Sequence, residues 1–317
     1  MNHSNKDPAV SVIMPVYNGE SHLRESIDSI LDQSFTDFEF IVVDDGSTDS
    51  SASIVSAYRD SRIRFVQQES SGISVALNKG IKLARGEFIA RMDADDISLP
   101  DRLDCQYKHL KSHSEIDILG GQAHIIDMYG EVIGDKKKPV SQQAIKRAIE
   151  FACPLIHPTY MVRKSAYLEL DGYRARFPPC EDYDFLLRAL DMGKGVSNLD
   201  KYLLYYRVNT EFSRPARDYT QIILTRMVLQ LHRQRLLNGE ESKNVLEKIE
   251  NVSRATVTRR FSIAYKWRNV LLIKARKAAG IRYLLAISAS MLVSLVDYEL
   301  FCSSLRGWLY KRACVEG

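Results

Sequence analysis

Cysteine is scarce in this chain of 317 residues, and the few cysteines lie far apart. The five of them are odd in number and include no C-x-x-C pair, so they predict neither a disulfide framework nor a zinc site and fit a reducing cytoplasm. The first ten residues, MNHSNKDPAV, contain no charged segment followed by an apolar one, so we expect no secretory signal.

A glycine-rich dinucleotide fingerprint is also missing. No G-x-G-x-x-G follows the first apolar run, which argues against an NAD enzyme. The composition, 45% hydrophobic and 26% charged, excludes a wholly disordered or fibrous chain. The length suits one large α/β domain with an appendage.

Short apolar runs alternate with helical patterns near the start of the chain. Residues 10–14, 38–43, 63–66 and 87–92 predict strands, the first ended by Pro15, and the segments between them predict helices, the second capped by Ser47 or Thr48. This alternation predicts a mostly parallel sheet with helices on both faces. Ligands of such sheets bind beyond the carboxyl ends of the strands, so loops 15–18, 44–49 and 93–96 should converge on one crevice.

Three carboxylates, Asp93, Asp95 and Asp96, follow the fourth predicted strand within four residues. Such a cluster repels itself unless a cation lies nearby, and Mg²⁺ or Mn²⁺ takes oxygen ligands together with substrate phosphates. The alternative is an acidic turn that caps the helix beginning near Pro100. For Asp96 we favour the cap, and for Asp44 we favour hydrogen bonds to local turn amides.

A second acidic cluster, Glu181 and Asp182, precedes the apolar residues of a predicted helix. At a helix N-terminus the dipole keeps a carboxylate ionised, and the alternative is again a cap. His157 lies between two prolines near the predicted crevice, where it either contacts a donor or acceptor or is structural. His124 is interpreted as structural, and Lys136-Lys137-Lys138 as a solvated charge run.

Several linked motifs resemble glycosyltransferase family 2. They are VSVIMPVYNG from Val10, FEFIVVDDGSTD from Phe38, SGISVALNKGIKLARGEFIARMDADD from Ser71 and PDRL from Pro100. The resemblance continues to about Tyr206 and implies the GT-A nucleotide-sugar-binding fold and an inverting, metal-dependent hexosyl- or N-acetylhexosaminyltransferase.

The resemblance also implies roles for individual residues. Pro15, Tyr17 and Asp45 would surround the uridine or a similar base, Asp93 would face the ribose, and Asp95 would hold Mn²⁺ or Mg²⁺ on the diphosphate. Asp182 would be the catalytic base, with Glu181 next. A carboxylate can select a pyrimidine imide, an aromatic ring can stack on it, and a metal can neutralise a leaving diphosphate. Asn209 stands where the family often has histidine, so its role as a metal-facing residue is in doubt.

The last hundred residues contain no family motif, and their pattern predicts helices. A first helix should end at Asn238-Gly239, and a second should span residues 245–279. From Asn251 to Val296 there are nine Lys or Arg and no Asp or Glu, and 283–296 is uncharged but shorter than the roughly 20 residues of a membrane span. Two interpretations stay open, an α-helical cap or a membrane-surface attachment, and we favour the second.

These patterns predict a GT-A domain over residues 1–212 and a basic α-helical region over 213–317. The expected activity is transfer of a sugar, UDP-linked by preference, to a glycan or lipid-linked acceptor in cell-surface polysaccharide synthesis. We expect it in the cytoplasm at the inner face of the cell membrane, without a nucleic-acid partner. The alternatives are a nucleotide-sugar pyrophosphorylase and a non-catalytic membrane-bound scaffold.

Overall fold

One mixed sheet of nine strands organises the described part of this computed structural model, residues 7–208 and 215–254. Its spatial order is β3-β2-β1-β4-β8-β6-β9-β5, and β7 pairs with β6 beside this path. The strands are β1 (Val10–Val16), β2 (Phe38–Asp44), β3 (Ile63–Gln67), β4 (Phe88–Arg91), β5 (Ile97–Ser98), β6 (Ile118–Ile126), β7 (Val132–Lys136), β8 (Met161–Arg163) and β9 (Val196–Arg207).

The first four strands form a parallel half-sheet, as the alternation predicts. β1 pairs in parallel with β2 and β4, and β2 pairs in parallel with β3. Every residue of β1, β2 and β4 is buried, because helices cover both faces. The carboxyl ends of these strands therefore lie at one edge, where their loops meet.

The other half of the sheet is mixed. β8 is antiparallel to both β4 and β6, whereas β6 and β9 are parallel. β5 and β7 add antiparallel pairings with β9 and β6. β8 thus joins the two halves and carries the segment before it back to the edge where the loops of the first half lie.

Nine helices cover the sheet within the same described ranges. They are α1 (Leu23–Leu31), α2 (Ser51–Ala57), α3 (Ile73–Leu83), α4 (Arg102–Ser112), α5 (Gln142–Ala148), α6 (Lys164–Glu169), α7 (Glu181–Asp191), α8 (Pro215–Asn238) and α9 (Lys243–Arg254), with a short 3₁₀ helix at His157–Thr159. Side chains of α1, α2 and α4 pack with one face of β1 and β2, and those of α3, α6, α7 and α8 pack with the other. The predicted α/β architecture with helices on both faces of the sheet is confirmed, and helices follow β9 in the described C-terminal part.

Two local predictions about the first loops are wrong. Pro15 does not end β1, which continues to Val16. Proline has no backbone N–H to donate, but its fixed φ is compatible with an extended strand where no neighbour needs that donor. The N-cap position of α2 is Ser50, because Ser47 and Thr48 are held by the neighbouring loop after β1.

The helical C-terminal prediction is confirmed where the structure describes it. α8 ends at Asn238, and Gly239 follows with φ +76, a left-handed conformation typical of glycine after a helix. Leu224, Val228 and Leu231 of α8 are buried with the apolar side of α7. No helix within residues 7–208 and 215–254 is long and apolar enough to cross a membrane. The domain boundary at 212/213 stays a prediction. Asn209 and residues 255–296, which include most of the basic block and the uncharged stretch 283–296, lie outside the described residues.

Candidate active site

The loops after β1 and β2 are bonded to each other through short polar side chains. The Asn18 side chain accepts a hydrogen bond from the Thr48 amide at 2.8 Å, and the Asn18 amide donates to the Ser47 hydroxyl at 3.0 Å. The Gly19 amide donates to the Ser51 hydroxyl at 2.9 Å. Asn18 has φ +50, a conformation that asparagine tolerates better than most residues. Two of the three loops predicted to converge are therefore bonded directly, and the third lies against them, since a Cβ at Gly19 would be 3.6 Å from the Ala94 Cβ.

Asp44 and Asp45 have different partners although they are adjacent. Asp44 accepts from the Ser47 amide at 3.2 Å, which confirms the predicted turn contact. Asp45 is buried and accepts from the Ser71 amide at 2.9 Å and the Gly72 amide at 2.8 Å. It also accepts from the Gln68 side chain at 2.7 Å. A carboxylate has about four acceptor positions, so one is left for a ligand.

Gly46 follows with φ +74, and a Cβ there would lie 2.7 Å from the Ser70 nitrogen. Glycine is thus needed at this position, both for the positive φ and because the loop that contains Ser70 approaches too closely for a side chain.

The two predicted base contacts before this loop differ in exposure. Tyr17 is 57% exposed, so its ring is free to stack on a planar ligand. Pro15 is buried inside β1. Contact of Tyr17, Pro15 and Asp45 with a nucleoside base stays a prediction.

The acidic loop after β4 brings three carboxylates together. Oxygen atoms of Asp93, Asp95 and Asp96 lie within 4.8 Å of one another. Asp95 is exposed, Asp93 is half-buried and Asp96 is buried. Such a set of hard oxygen donors, open on one side, suits Mg²⁺ or Mn²⁺.

Asp96 is not a helix cap, and that prediction is wrong. α4 begins at Arg102, with Asp101 in the N-cap position. The Asp96 carboxylate instead accepts from the Arg207 amide at 2.8 Å through Oδ1. Its Oδ2 is buried and has no hydrogen-bond partner within residues 7–208 and 215–254. A buried carboxylate oxygen without a partner is costly, so the residue fits the alternative of a second metal ligand.

The carboxylates of the cluster raise each other's proton affinity. Burial and the negative charge of Asp93 raise the pKa of Asp95 to about 6. Burial, followed by the charges of Asp93 and Asp95, raises the pKa of Asp96 well above its usual value. Self-repulsion of this kind is relieved by a bound cation, so the residues present fit a divalent metal.

Arginine side chains hold this loop in place from behind. Buried Arg91 forms a salt bridge to both carboxylate oxygens of Asp93, at 2.5 Å for the Nη1–Oδ2 pair. Arg102 is fully buried and donates to the Arg91 carbonyl at 2.6 Å. Burial and the neighbouring Arg91 charge lower the pKa of Arg102 to about 10. The arginine of the PDRL motif therefore supports the strand that leads into the cluster.

Arg207, at the end of β9, holds the other side of the same loop. Its Nε donates to the Asp95 carbonyl at 2.8 Å and its Nη1 to the Asp127 carbonyl at 3.0 Å. Its Nη2 forms an ion pair with Glu25 of α1 at 2.6 Å. This arginine therefore fixes the acidic loop, the turn between β6 and β7, and α1 relative to one another.

Asp182 stands in the first turn of α7 and shares charged neighbours with the metal cluster. Its Oδ1 accepts from the Tyr183 amide at 2.7 Å, and its Oδ2 lies 3.7 Å from the Cys153 sulfur. Burial raises the pKa of Asp182, and the positive charges of Arg91 and Lys136 oppose this rise. A carboxylate with a raised pKa is a stronger base than an aqueous one.

The other two acids of the same helix turn are buried. Asp184 is fully buried between Arg174 and Arg188. Glu181 is also buried. Asp182 is thus the acid of this turn that keeps partial exposure to solvent. Its role as the base stays a prediction.

His157 lies in a buried cluster of aromatic rings. Its Nε2 is 2.9 Å from the Tyr173 hydroxyl, which in turn is 2.8 Å from the Tyr167 hydroxyl. Burial and the Arg91 charge lower the pKa of His157 well below its usual value, so the imidazole is neutral. This nitrogen is occupied by Tyr173, and contact of His157 with a donor or acceptor stays a prediction.

The interpretation of Lys136-Lys137-Lys138 as a solvated charge run is wrong for Lys136. Lys136 ends β7, and its ammonium lies 4.0 Å from the centre of the Tyr206 ring. It is half-buried, whereas Lys137 is exposed. A strand alternates its side chains between two faces, so neighbouring lysines point in opposite directions. The predicted structural role of His124 agrees with its 2.8 Å contact to Asp135.

Sequence reasoning thus missed the cations of the site, namely Arg91, Arg102, Lys136 and Arg207. A basic residue directly before an acidic cluster is a usable signal for Arg91. Arg207 and Lys136 approach the cluster only through pairing of distant strands, with 111 residues between Arg207 and Asp96. Spacing along the chain does not reveal such contacts.

Comparison with known proteins gives consistent matches. The family model described as Glycosyl transferase family 2 matches residues 11–170. The O-antigen biosynthesis glycosyltransferase WbnJ of Escherichia coli is 34% identical over 207 residues, which cover 64% of this chain and 80% of WbnJ.

Two kinds of solved structure share the fold. TarS 1-349 of S. aureus in complex with UDP-GlcNAc has a TM-score of 0.58 at 23% identity, covering 94% of this chain and 89% of that one. The mannosyltransferase PcManGT of Pyrobaculum calidifontis in complex with GDP-Man and Mn²⁺ has a TM-score of 0.59 at 18% identity, covering 98% and 87%.

Proposed function

Since this chain belongs to glycosyltransferase family 2, we propose that it transfers a hexosyl or N-acetylhexosaminyl group from a nucleoside diphosphate sugar to a hydroxyl acceptor, with inversion. The observation that carries the proposal is the carboxylate cluster of Asp93, Asp95 and Asp96 at the end of β4. The positive charges of Arg91 and Lys136 interact both with this cluster and with Asp182. A metal site and a base at one crevice are what this transfer needs.

Asp95 and Asp96 would hold the divalent cation. The partnerless Asp96 Oδ2 and the raised pKa values of both carboxylates support this assignment. When bound, a divalent cation neutralises the charge of a departing diphosphate. Asp93 is held by Arg91, which leaves acceptor positions for a ribose hydroxyl or for the metal.

Asp182 would remove the proton of the acceptor hydroxyl. Its Oδ1 is fixed by the Tyr183 amide, so the carboxylate has one orientation at the helix N-terminus. Burial raises its pKa, and Arg91 and Lys136 limit that rise. The acceptor oxygen attacks the anomeric carbon from the side opposite the diphosphate, which inverts the configuration. A base in this position contributes about 10² to 10⁴ in rate.

The donor nucleoside would lie against Tyr17, Pro15 and Asp45. The exposed Tyr17 ring offers a stacking surface, and Asp45 keeps about one free acceptor position for a ring N–H. We propose UDP as the donor nucleotide, because a carboxylate that accepts one N–H suits the uracil imide. TarS was solved with UDP-GlcNAc and PcManGT with GDP-Man, so a test must include both nucleotides.

The acceptor is proposed from the relatives and the charge of the chain. WbnJ acts in O-antigen biosynthesis, which supports a glycan or lipid-linked saccharide of the cell surface as acceptor. The nine cations and no acids over residues 251–296 support attachment to an anionic membrane at its inner face.

Thermal unfolding with nucleotides tests the site directly. UDP, GDP and their sugar conjugates are added with Mn²⁺, with Mg²⁺ or with a chelator. A ligand at about a hundred times its Kd raises the Tm by roughly 5–10 °C for a domain of this size. The rise should need the metal and should be lost in Asp95→Ala, while the exposed Asp200→Ala control responds like the parental protein. The proposal fails if a folded sample responds to no nucleotide, or if Asp95→Ala responds fully.

A further inference from the structure

The ammonium of Lys136 is directed towards the active-site face of the sheet. Lys136 of β7 lies opposite Ala123 of β6, and Ile125, two residues further on, lies opposite Tyr206 of β9. Residues two apart on a strand share a face, so Lys136 and Tyr206 are on the same side. The 4.0 Å separation between the Lys136 Nζ and the Tyr206 ring centre agrees with this register.

Tyr206 places that ammonium beside the metal cluster. Tyr206 directly precedes Arg207, whose amide donates to the Asp96 carboxylate at 2.8 Å, so it lies beside the acidic loop. In agreement, burial and then the negative charges of Asp96, Asp93 and Asp95 raise the pKa of Tyr206. Lys136 is itself close enough to interact with the charges of Asp182, Asp96 and Asp93. The Lys136 ammonium therefore lies on the side of the sheet that carries the acidic loop, within electrostatic reach of both the metal cluster and Asp182.

Lys136 has no carboxylate partner in direct contact among the residues that the structure describes. None of the ion pairs found there within 4.0 Å includes its Nζ, although Lys108, Lys111, Lys194 and Lys201 all have one. Burial lowers the pKa of Lys136, as expected of a cation that gives up water without a contacting anion. An ammonium has three N–H donors, and the Tyr206 ring occupies one side of it.

We propose that Lys136 binds the diphosphate of the donor and stabilises the charge that this group gains on leaving. The inference rests on the proposed transferase function and adds a residue to its machinery. In the step, the acceptor oxygen forms a bond to the anomeric carbon while the bond from that carbon to the diphosphate oxygen breaks. The electron pair leaves on the diphosphate, the acceptor proton goes to Asp182, and Lys136 keeps its proton throughout.

The adjacent Lys137 is a matched control. It carries the same charge one residue away and is exposed. Its Nζ lies 5.8 Å from the centre of the Tyr202 ring, which stacks on His124 on the opposite face of the sheet. Removing its charge changes the net charge of the protein equally but leaves the crevice untouched.

Titration of the full chain with UDP and with uridine, in the presence of Mn²⁺, separates the diphosphate from the nucleoside. Lys136→Met should weaken UDP binding about 10- to 100-fold, the usual loss for a hydrogen bond to a charged group, and leave uridine binding unchanged. Lys136→Arg should retain most of the UDP affinity, and Lys137→Met all of it. Lys136→Gln provides a second neutral variant. If the parental protein prefers GDP, the titrations use GDP and guanosine in place of UDP and uridine.

Three results would overturn the inference. One is parental UDP affinity and rate in both neutral Lys136 variants. Another is an unchanged UDP affinity with a displaced pH profile, which would mean that Lys136 acts through Asp182. The third is equal loss in the Lys136 and Lys137 variants. If the parental protein binds no nucleoside diphosphate, the proposed function itself fails, and that result is visible before any variant is made.

Discussion

Neighbouring carboxylates in one helix turn differ according to what surrounds them. Asp184 is fully buried and bonded to two guanidinium groups, from Arg174 and Arg188. Asp182 is half-buried and accepts from the Tyr183 backbone amide and, at 3.7 Å, from the Cys153 thiol. Each charge of a buried ion pair offsets the cost of burying the other. The Asp184 carboxylate therefore stabilises the fold. The Asp182 carboxylate is free to exchange a proton.

We predict that Asp184→Asn lowers the stability of the protein and that Asp182→Asn does not. Removal of the Asp184 charge takes away the buried carboxylate that Arg174 and Arg188 share, while Glu241 remains beside Arg174. It should lower the free energy of unfolding by about 3–5 kcal/mol. The pKa of Asp182 is raised in the folded state, so its ionised form is disfavoured there at neutral pH and its loss should leave the Tm equal or higher. Thermal unfolding of both variants at pH 7 checks this. A lower Tm for Asp182→Asn than for Asp184→Asn would contradict the assignment.

The rate of transfer should depend on pH through Asp182. The base must be ionised to accept a proton, and its pKa lies above the usual aspartate value because of burial. Activity should therefore fall as the pH falls through that raised pKa and should be constant above it. The measurement is kcat/KM against pH at saturating metal.

Asp182→Asn is the matching variant for this profile. It should lose about 10² to 10⁴ in rate while donor binding is retained, because the amide keeps an acceptor for the Tyr183 N–H. Transfer at the parental rate would show that another group is the base.

At the scale of elements, β9 connects parts of the site that are far apart in sequence. Arg207 at its end bonds the acidic loop, the turn between β6 and β7, and α1. We predict that Arg207→Lys destabilises the protein by about 1–3 kcal/mol, because one ammonium cannot replace the fork of N–H donors. It should also weaken metal-dependent nucleotide binding, since the Asp95 and Asp96 backbone would be less fixed.

The exposed Arg24 of α1 offers the control for this prediction. Arg24→Lys makes the same chemical change on the surface of an element that Arg207 contacts. It should alter neither Tm nor nucleotide binding. If the two variants behave alike in thermal unfolding and nucleotide titration, the bridging assignment of Arg207 is wrong.

The sequence predicted the elements whose signals are local. Alternating apolar runs and helical spacing identify β1 to β4 and α1 to α3, because buried strands and amphipathic helices each have a period. The turn contact of Asp44 was predicted for the same reason. The cap proposed for Asp96 was wrong because the Arg207 amide arrives from a strand 111 residues away. Antiparallel β8, three residues long, is too short to be recognised from its pattern.

At the scale of the whole molecule, charge is divided between two regions of the chain. Asp93, Asp95 and Asp96 gather at the carboxyl edge of the sheet, and Asp182 lies within electrostatic reach of the same Arg91 and Lys136 charges. The net charge of +4 is modest, but the stretch from Asn251 to Val296 contains nine cations and no acid. Such a separation suits an enzyme whose soluble donor and membrane-linked acceptor come from different sides.

We therefore predict that the full chain binds vesicles that contain phosphatidylglycerol and not vesicles of phosphatidylcholine alone. Each cation near an anionic surface contributes about 1 kcal/mol. Changing Lys274, Arg276 and Lys277 to Gln should thus weaken binding roughly 100-fold. Binding should also weaken between 0.1 and 1 M salt, where the Debye length falls from about 10 to 3 Å.

Sedimentation with vesicles measures this binding, and three exposed lysines of the catalytic domain provide the matched control. Changing Lys82, Lys108 and Lys111 to Gln removes the same charge from α3 and α4. If attachment depends on the basic block, these changes should leave vesicle binding unchanged. The cations close to the membrane surface then determine binding, and the net charge of the protein does not. Equal loss in both triple variants would indicate attraction by net charge alone, and no binding to anionic vesicles would favour the alternative of an α-helical cap for the same residues.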